Sequence, residues 1–130
     1  MKIHAFRLKD WDDLKLSIIT YVKNNNIKAW CILSCVGWLG RAVIRLSWWI
    51  IKEYEKKLEI VSITWTLSQD DCHIHIAFTD IECNTIWWHL KDGSLVYTTC
   101  EVILGEFENI IFSREYDDTT NFKELVIIGK

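Results

Sequence analysis

The chain has 130 residues, half of them hydrophobic and a quarter charged, with a formal net charge of −3; this is the size and balance of one globular domain spanning 1–130. The charge argues against a DNA-binding surface, which needs clustered Lys and Arg to neutralise phosphates, and no stretch reaches the ~18 apolar residues that a membrane span requires. The opening MKIHAFRLKD lacks the basic start, apolar centre and small-residue cleavage site of a secretory signal, so a cytoplasmic protein with reduced cysteines is expected.

Residues 3–8 alternate apolar and polar side chains, as a half-buried strand does. Asp10 or Asp12 can then cap a helix over 12–24. Leu14, Ile18, Tyr21 and Val22 fall at helical spacing and supply its buried stripe. Asn24, Asn25 and Asn26 end it, because Asn tolerates the left-handed backbone of a helix stop. Everything beyond is strand-rich. The segments 28–36 and 41–47 read as two strands, the second with Ala42, Ile44 and Leu46 on one face. Segments 58–68 and 72–79 form a hairpin around Gln69, Asp70 and Asp71. Strands over 86–90, 95–107, 110–114 and 123–128 complete the set, with a tight turn at Asp92 and Gly93. One strand, one principal flanking helix and then consecutive strands make an α+β pattern with a largely antiparallel sheet.

The five cysteines, Cys31, Cys35, Cys72, Cys83 and Cys100, form no C-x-x-C pair and read as small buried hydrophobes. Lys52, Lys56, Lys57, Arg41 and Arg45 are interleaved with Glu53, Glu55 and Glu59, the pattern of a solvated face. Phosphate loops, serine-hydrolase elbows, H-E-x-x-H and dinucleotide fingerprints are missing, so no catalytic residue is assigned.

His73 and His75 are one residue apart, which on a strand puts both imidazoles on one face. His89 lies on the next predicted strand, after a reversal near 82–84, and can approach them. Three such rings are either the start of a transition-metal site, zinc-like in its donors, or a hydrogen-bonded polar face. Thr98, Thr99 and Glu101 follow on a later strand. Glu101, with Thr99 beside it, is either a partner that orients an imidazole or an ion-pair partner for Arg41, Arg45 or Arg114.

Several segments occur together in a familiar order. Arg7-Leu8 and Asp13-Leu14 are followed by ILSCVGWLGRAVIRL (32–46), LEIVSITWTLS (58–68), HIHIAFTD (73–80), HLKDGSLVYTTCEVIL (89–104) and FSREYDDTTNFKELVI (112–127). In that arrangement the chain, over about 3–128, resembles the plants-and-prokaryotes-conserved (PPC) domain in its stand-alone form. The resemblance implies a mainly antiparallel sheet with one flanking helix, assembled as a homotrimer. It also implies that His73, His75 and His89 lie together near a subunit boundary. Plant members carry AT-hook peptides that grip DNA. This chain has no proline and no Arg-Gly-Arg core, so DNA binding does not carry over.

The family favours glycine where this chain has Trp11, Trp65, Trp87 and Trp88, and small or polar residues at Trp48-Trp49. Eight Trp accompany only five Gly. Either several of these positions are glycine in the organism's own code, since UGA is Trp or Gly in different genetic codes, or the chain is a family variant with an aromatic-filled site. As tryptophans, Trp87 and Trp88 are expected to crowd the histidine pocket. Two functions follow first from the resemblance and the residues: a self-associating, partner-binding module with a histidine-lined pocket at the subunit boundary, or a metal-dependent small-molecule-binding protein or enzyme, a hydrolase or lyase, using His73, His75 and His89; direct DNA binding ranks third.

Overall fold

A computed structural model describes residues 1–67 and 72–129. Strand β1 (Lys2–Lys9) leads through a short turn into helix α1 (Leu14–Asn24). Next come β2 (Trp30–Arg45), a 3-10 turn over Ser47–Trp49, β3 (Ile51–Tyr54) and β4 (Leu58–Leu67). Strands β5 (Cys72–Thr79), β6 (Thr85–Leu90) and β7 (Leu95–Glu106) follow, then β8 (Ile110–Asp117) and β9 (Phe122–Gly129). The α+β expectation holds: every strand pairing is antiparallel, with one α-helix among the described residues.

The helix buries Leu14, Ile18 and Val22 and leaves Tyr21 half-buried. Tyr21 stacks on Phe6 at 4.1 Å and meets the buried His4, whose other ring nitrogen reaches Glu106 at 2.8 Å. The N-cap is Asp13, not Asp10 or Asp12. Asp13 accepts from the Leu16 N–H at 2.9 Å and from Gly93 N–H at 2.6 Å. Asp12 accepts from Lys9 N–H, and Asp10 from Thr98 N–H. The two earlier aspartates fasten the β1 turn, and the third closes the helix onto the turn before β7. At the far end Asn26 adopts φ 52°, as a helix stop requires.

The principal sheet runs β1-β7-β2-β4-β5-β6, with β3 on β2 and a further pairing of β6 back onto β2. The loop β2-β4-β5-β6 therefore returns on itself. The two strands expected over 28–36 and 41–47 are one strand of 16 residues. Gly37 and Gly40, which look like breaks in sequence, instead sit where the β2–β7 register shifts. Gly37 has φ 155°, and a Cβ there would lie 2.4 Å from the Thr99 carbonyl oxygen. Glycine thus lets β2 bend against β7 without ending. The short β3 escaped the sequence reading because Ile51–Glu53 are exposed and carry no buried stripe. Strands β8 and β9 form a separate ribbon, longer than predicted. It is tied to the body by Phe112 N–H to the Lys28 carbonyl at 3.1 Å and by Arg114 to Thr66. The hairpin turn expected at 69–71 lies outside the described residues.

The core is one cluster in which Trp30, Leu39, Ile44, Leu58, Ile76 and Phe78 are all at or below 1% exposure. Full burial of such side chains is worth roughly 1.5–3 kcal/mol each. Trp30 and Trp65 pack at 5.1 Å in that core, and the indole N–H of each has no hydrogen-bond partner. Cys35 and Cys100 are buried as expected, their sulfurs 3.4 Å apart across β2 and β7; Cys83 is exposed. Trp11 and Trp49 both hold left-handed backbone, φ 68° and 67°, a conformation that glycine adopts without penalty. Trp65, Trp87 and Trp88 have negative φ.

Candidate metal centre

His73 and His75 stand on β5, and His89 on β6 directly opposite His75. The two-residue period of β5 places both of its rings on one face, and the β5–β6 register brings the third across to them. Ring centroids are 4.8 Å (His73–His75), 5.1 Å (His73–His89) and 4.8 Å (His75–His89). One ligand nitrogen from each lies within 4.8 Å of the others, and the His73 and His75 Nε2 atoms are 3.0 Å apart. In a tetrahedral zinc site the nitrogens stand roughly 2.0–2.1 Å from the ion, hence roughly 3.3 Å from one another. The 3.0 Å pair and the 4.8 Å outer limit bracket that spacing.

The register depends on the turn after β5. Asp80 accepts from the backbone N–H groups of Glu82 and Asn84, both at 3.0 Å, and from Lys56 Nζ at 2.7 Å. The Lys56 ammonium first, and then the Asn84 N–H, hold the Asp80 carboxyl down at about 2. Partial burial, Arg45 and the neighbouring imidazoles push His89 down to about 4. Burial pushes His73 down as well, followed by His75 and Arg114, with Glu124 opposing. Neutral imidazole is the form that binds a metal, so both rings are ligand-ready at neutral pH. The donor set fits a divalent transition metal with an open fourth position.

Glu101 and Thr99 do not join this cluster. They lie on β7, where Glu101 faces Arg7 and Val36 and Thr99 faces Lys9. His89 instead faces Arg45, the last residue of β2, up to roughly 30 Å of extended chain beyond Val36. Glu101 is also not the partner of Arg41, Arg45 or Arg114 among the described residues: Arg41 pairs with Glu53 at 2.6 Å and Glu55 at 3.8 Å. Trp87 and Trp88 flank the imidazoles, 6.3 Å from His75 and 6.0 Å from His89. Neither lines the cleft of about 550 Å³ that opens beside His73 and His89; the tryptophan on that wall is Trp49.

Sequence reasoning missed the cations of this cleft. Arg45, Lys91, Arg114 and Lys123 all line it, although they come from β2, the β6–β7 link and the β8–β9 ribbon. The β2–β6 pairing sets Arg45 opposite His89, and nothing in local pattern announces that contact.

A curled antiparallel sheet with one helix and three imidazoles on adjacent strands defines a small α+β domain with a histidine-lined cleft. Residues 1–108 match the Plants and Prokaryotes Conserved (PCC) domain, and the chain belongs to that family, the one its sequence resembles. Over 129 residues it is 33% identical to the bifunctional protein GlmU of Synechococcus sp. (strain JA-3-3Ab), covering 98% of this chain and 21% of that protein. The chain thus spans about a fifth of the length of this relative. A hypothetical protein from Salmonella cholerae-suis superimposes with a TM-score of 0.96 at 25% identity, covering 99% of this chain and 94% of that one. A metal-containing protein from Archaeoglobus fulgidus gives a TM-score of 0.81 at 25% identity, covering 97% and 94%. No helix of the described residues is long and apolar enough to cross a membrane.

Proposed function

We propose that this domain binds a divalent transition metal, zinc-like in its preferences, through His73, His75 and His89, and uses it to hold a small molecule in the adjoining cleft. The observation that carries the reading is the convergence of three imidazole nitrogens within 4.8 Å from two neighbouring strands. The similarity to a metal-containing protein supports it. Three protein ligands with solvent on the fourth side match sites that keep a position open, rather than closed structural sites. When bound, such an ion supplies Lewis acidity at that position. The chain's own residues do the rest: the β5–β6 ladder orients the rings, and the Asp80 turn fixes the register. Elemental analysis of untagged protein, with a zinc titration of the chelated form, tests this. One equivalent of metal per chain, lost in His73→Ala and His75→Ala, is expected; no metal, and no effect of chelator on thermal stability, would remove the reading.

The second reading is self-association as a homotrimer that offers a surface to a protein partner. Exposed Leu33, Val36, Trp38 and Ile103 on β2 and β7, with Ile3 on β1, favour it, because apolar side chains clustered on strands are costly to leave in water. Light scattering after size exclusion tests it, a stable monomer at micromolar concentration counting against it. The net charge of −3 gives no support to DNA binding by this chain.

A further inference from the structure

The charges around the cleft are unbalanced. Arg45, Lys91, Arg114 and Lys123 line it, with Glu124 the one carboxylate among its lining residues. Lys15 also lines it but is engaged by Asp92 at 2.6 Å. Among the described residues Arg45, Lys91, Arg114 and Lys123 form no ion pair with a carboxylate.

The two guanidinium groups are held by other means. Arg114 donates to the Thr66 carbonyl and hydroxyl, both at 3.1 Å, and to the Lys123 carbonyl at 3.3 Å. Its Nε is buried and has no partner. Arg45 sits over the Trp49 ring at 4.8 Å. Neutral partners position these cations without discharging them, and a partly desolvated charge without a counter-ion is unfavourable. A dication on the histidines would add to the same positive field. Phe122, largely exposed, gives the cleft an apolar side beside the cations.

We infer that the cleft binds a small organic oxyanion, its phosphoryl or carboxylate group held by Arg45 and Arg114 and its apolar body lying against Phe122. This deepens the metal-and-ligand reading and rests on it for the role of the histidines, but the cationic cradle belongs to the protein alone. Guanidinium forks match such oxyanions in shape as well as charge. A concave, partly apolar cleft suits a small molecule better than a nucleic-acid backbone, which tracks along an open basic surface.

Calorimetric titration of phenyl phosphate and of benzoate into the chelated protein, and separately into the zinc-loaded protein, tests the inference. Phenol serves as the neutral analogue and a short DNA duplex as the competitor. Binding of at least one anion is expected, weaker in high salt, with phenol failing to bind; the stronger of the two tells phosphoryl from carboxylate. Arg114→Ala and Arg45→Gln should each weaken the anion about ten- to hundred-fold, the range for a hydrogen bond to a charged group. Arg7→Gln, on β1 outside the cleft, should not. Arg45→Gln keeps the test open if the Arg114 variant loses the ribbon. Zinc binding with no anion binding would overturn this inference and leave the metal reading standing. Anion binding with no zinc binding would do the reverse. Equal binding of phenol, displacement by DNA at lower concentration than by either anion, or indifference to both arginine changes would also overturn it.

Discussion

His75 lies directly across the β5–β6 ladder from His89, with ring centroids 4.8 Å apart. Because strand side chains alternate, a slip of one residue in this pairing would send one ring to the opposite face of the sheet. The candidate centre is therefore a property of register, and register is fixed by the turn that joins the two strands.

Loss of one imidazole should abolish tight metal binding without unfolding the chain. For His89→Ala we expect zinc affinity to fall more than about 100-fold, beyond the 10–100-fold that outer hydrogen-bond partners cost. The melting temperature of the chelated protein should change little, since the ring is not buried. Paired zinc titration and thermal melts check both halves of the expectation.

The Asp80 turn should be sensitive to acid. The Asp80 carboxyl titrates at about 2 in the folded chain, against roughly 3.9 when unfolded. A depressed folded pKa gives stability that is present above about 4 and lost as the pH falls toward about 2. Asp80→Asn should therefore lower the urea midpoint at pH 5, and its difference from the parent should shrink by pH 2. At neutral pH the same variant should weaken zinc binding, because the β5–β6 register loosens.

Gly37 should not accept a side chain. A Cβ would lie 2.4 Å from the Thr99 oxygen and 2.6 Å from the Cys100 Cα. These contacts are with backbone, which cannot swing aside as a side-chain tip can. Gly37→Ala should cost about 3 kcal/mol, read as a lower urea midpoint with an unchanged m-value.

Trp11 is 74% exposed and holds φ 68°, so its ring gains little from burial while its Cβ opposes the backbone. Left-handed backbone costs an L-residue roughly 1–2 kcal/mol. Trp11→Gly should raise stability by up to about 1 kcal/mol, and Trp11→Ala, which keeps the Cβ, should not. Mass spectrometry of the peptide carrying residue 11, taken from the source organism, tells directly whether glycine stands there. The same measurement on the peptide containing Trp49, at φ 67°, is an independent check.

Local pattern by itself determined the class of fold, the helix with Leu14, Ile18 and Val22 inward, most of the strands, and the pairing of His73 with His75 on one face. These are consequences of periods of 3.6 and 2, which act between near neighbours. Tertiary structure decided what local pattern cannot hold. It made β2 continuous through Gly37, set Glu101 and Thr99 on β7 beside Arg7 and Lys9 of β1 and away from the histidines, and chose Asp13 as the helix cap. It also closed β6 onto β2, so that Arg45 faces His89, and laid Arg114 of the ribbon over Thr66. Each of these joins residues distant in sequence, and such contacts are fixed by register and chain closure rather than by any local preference.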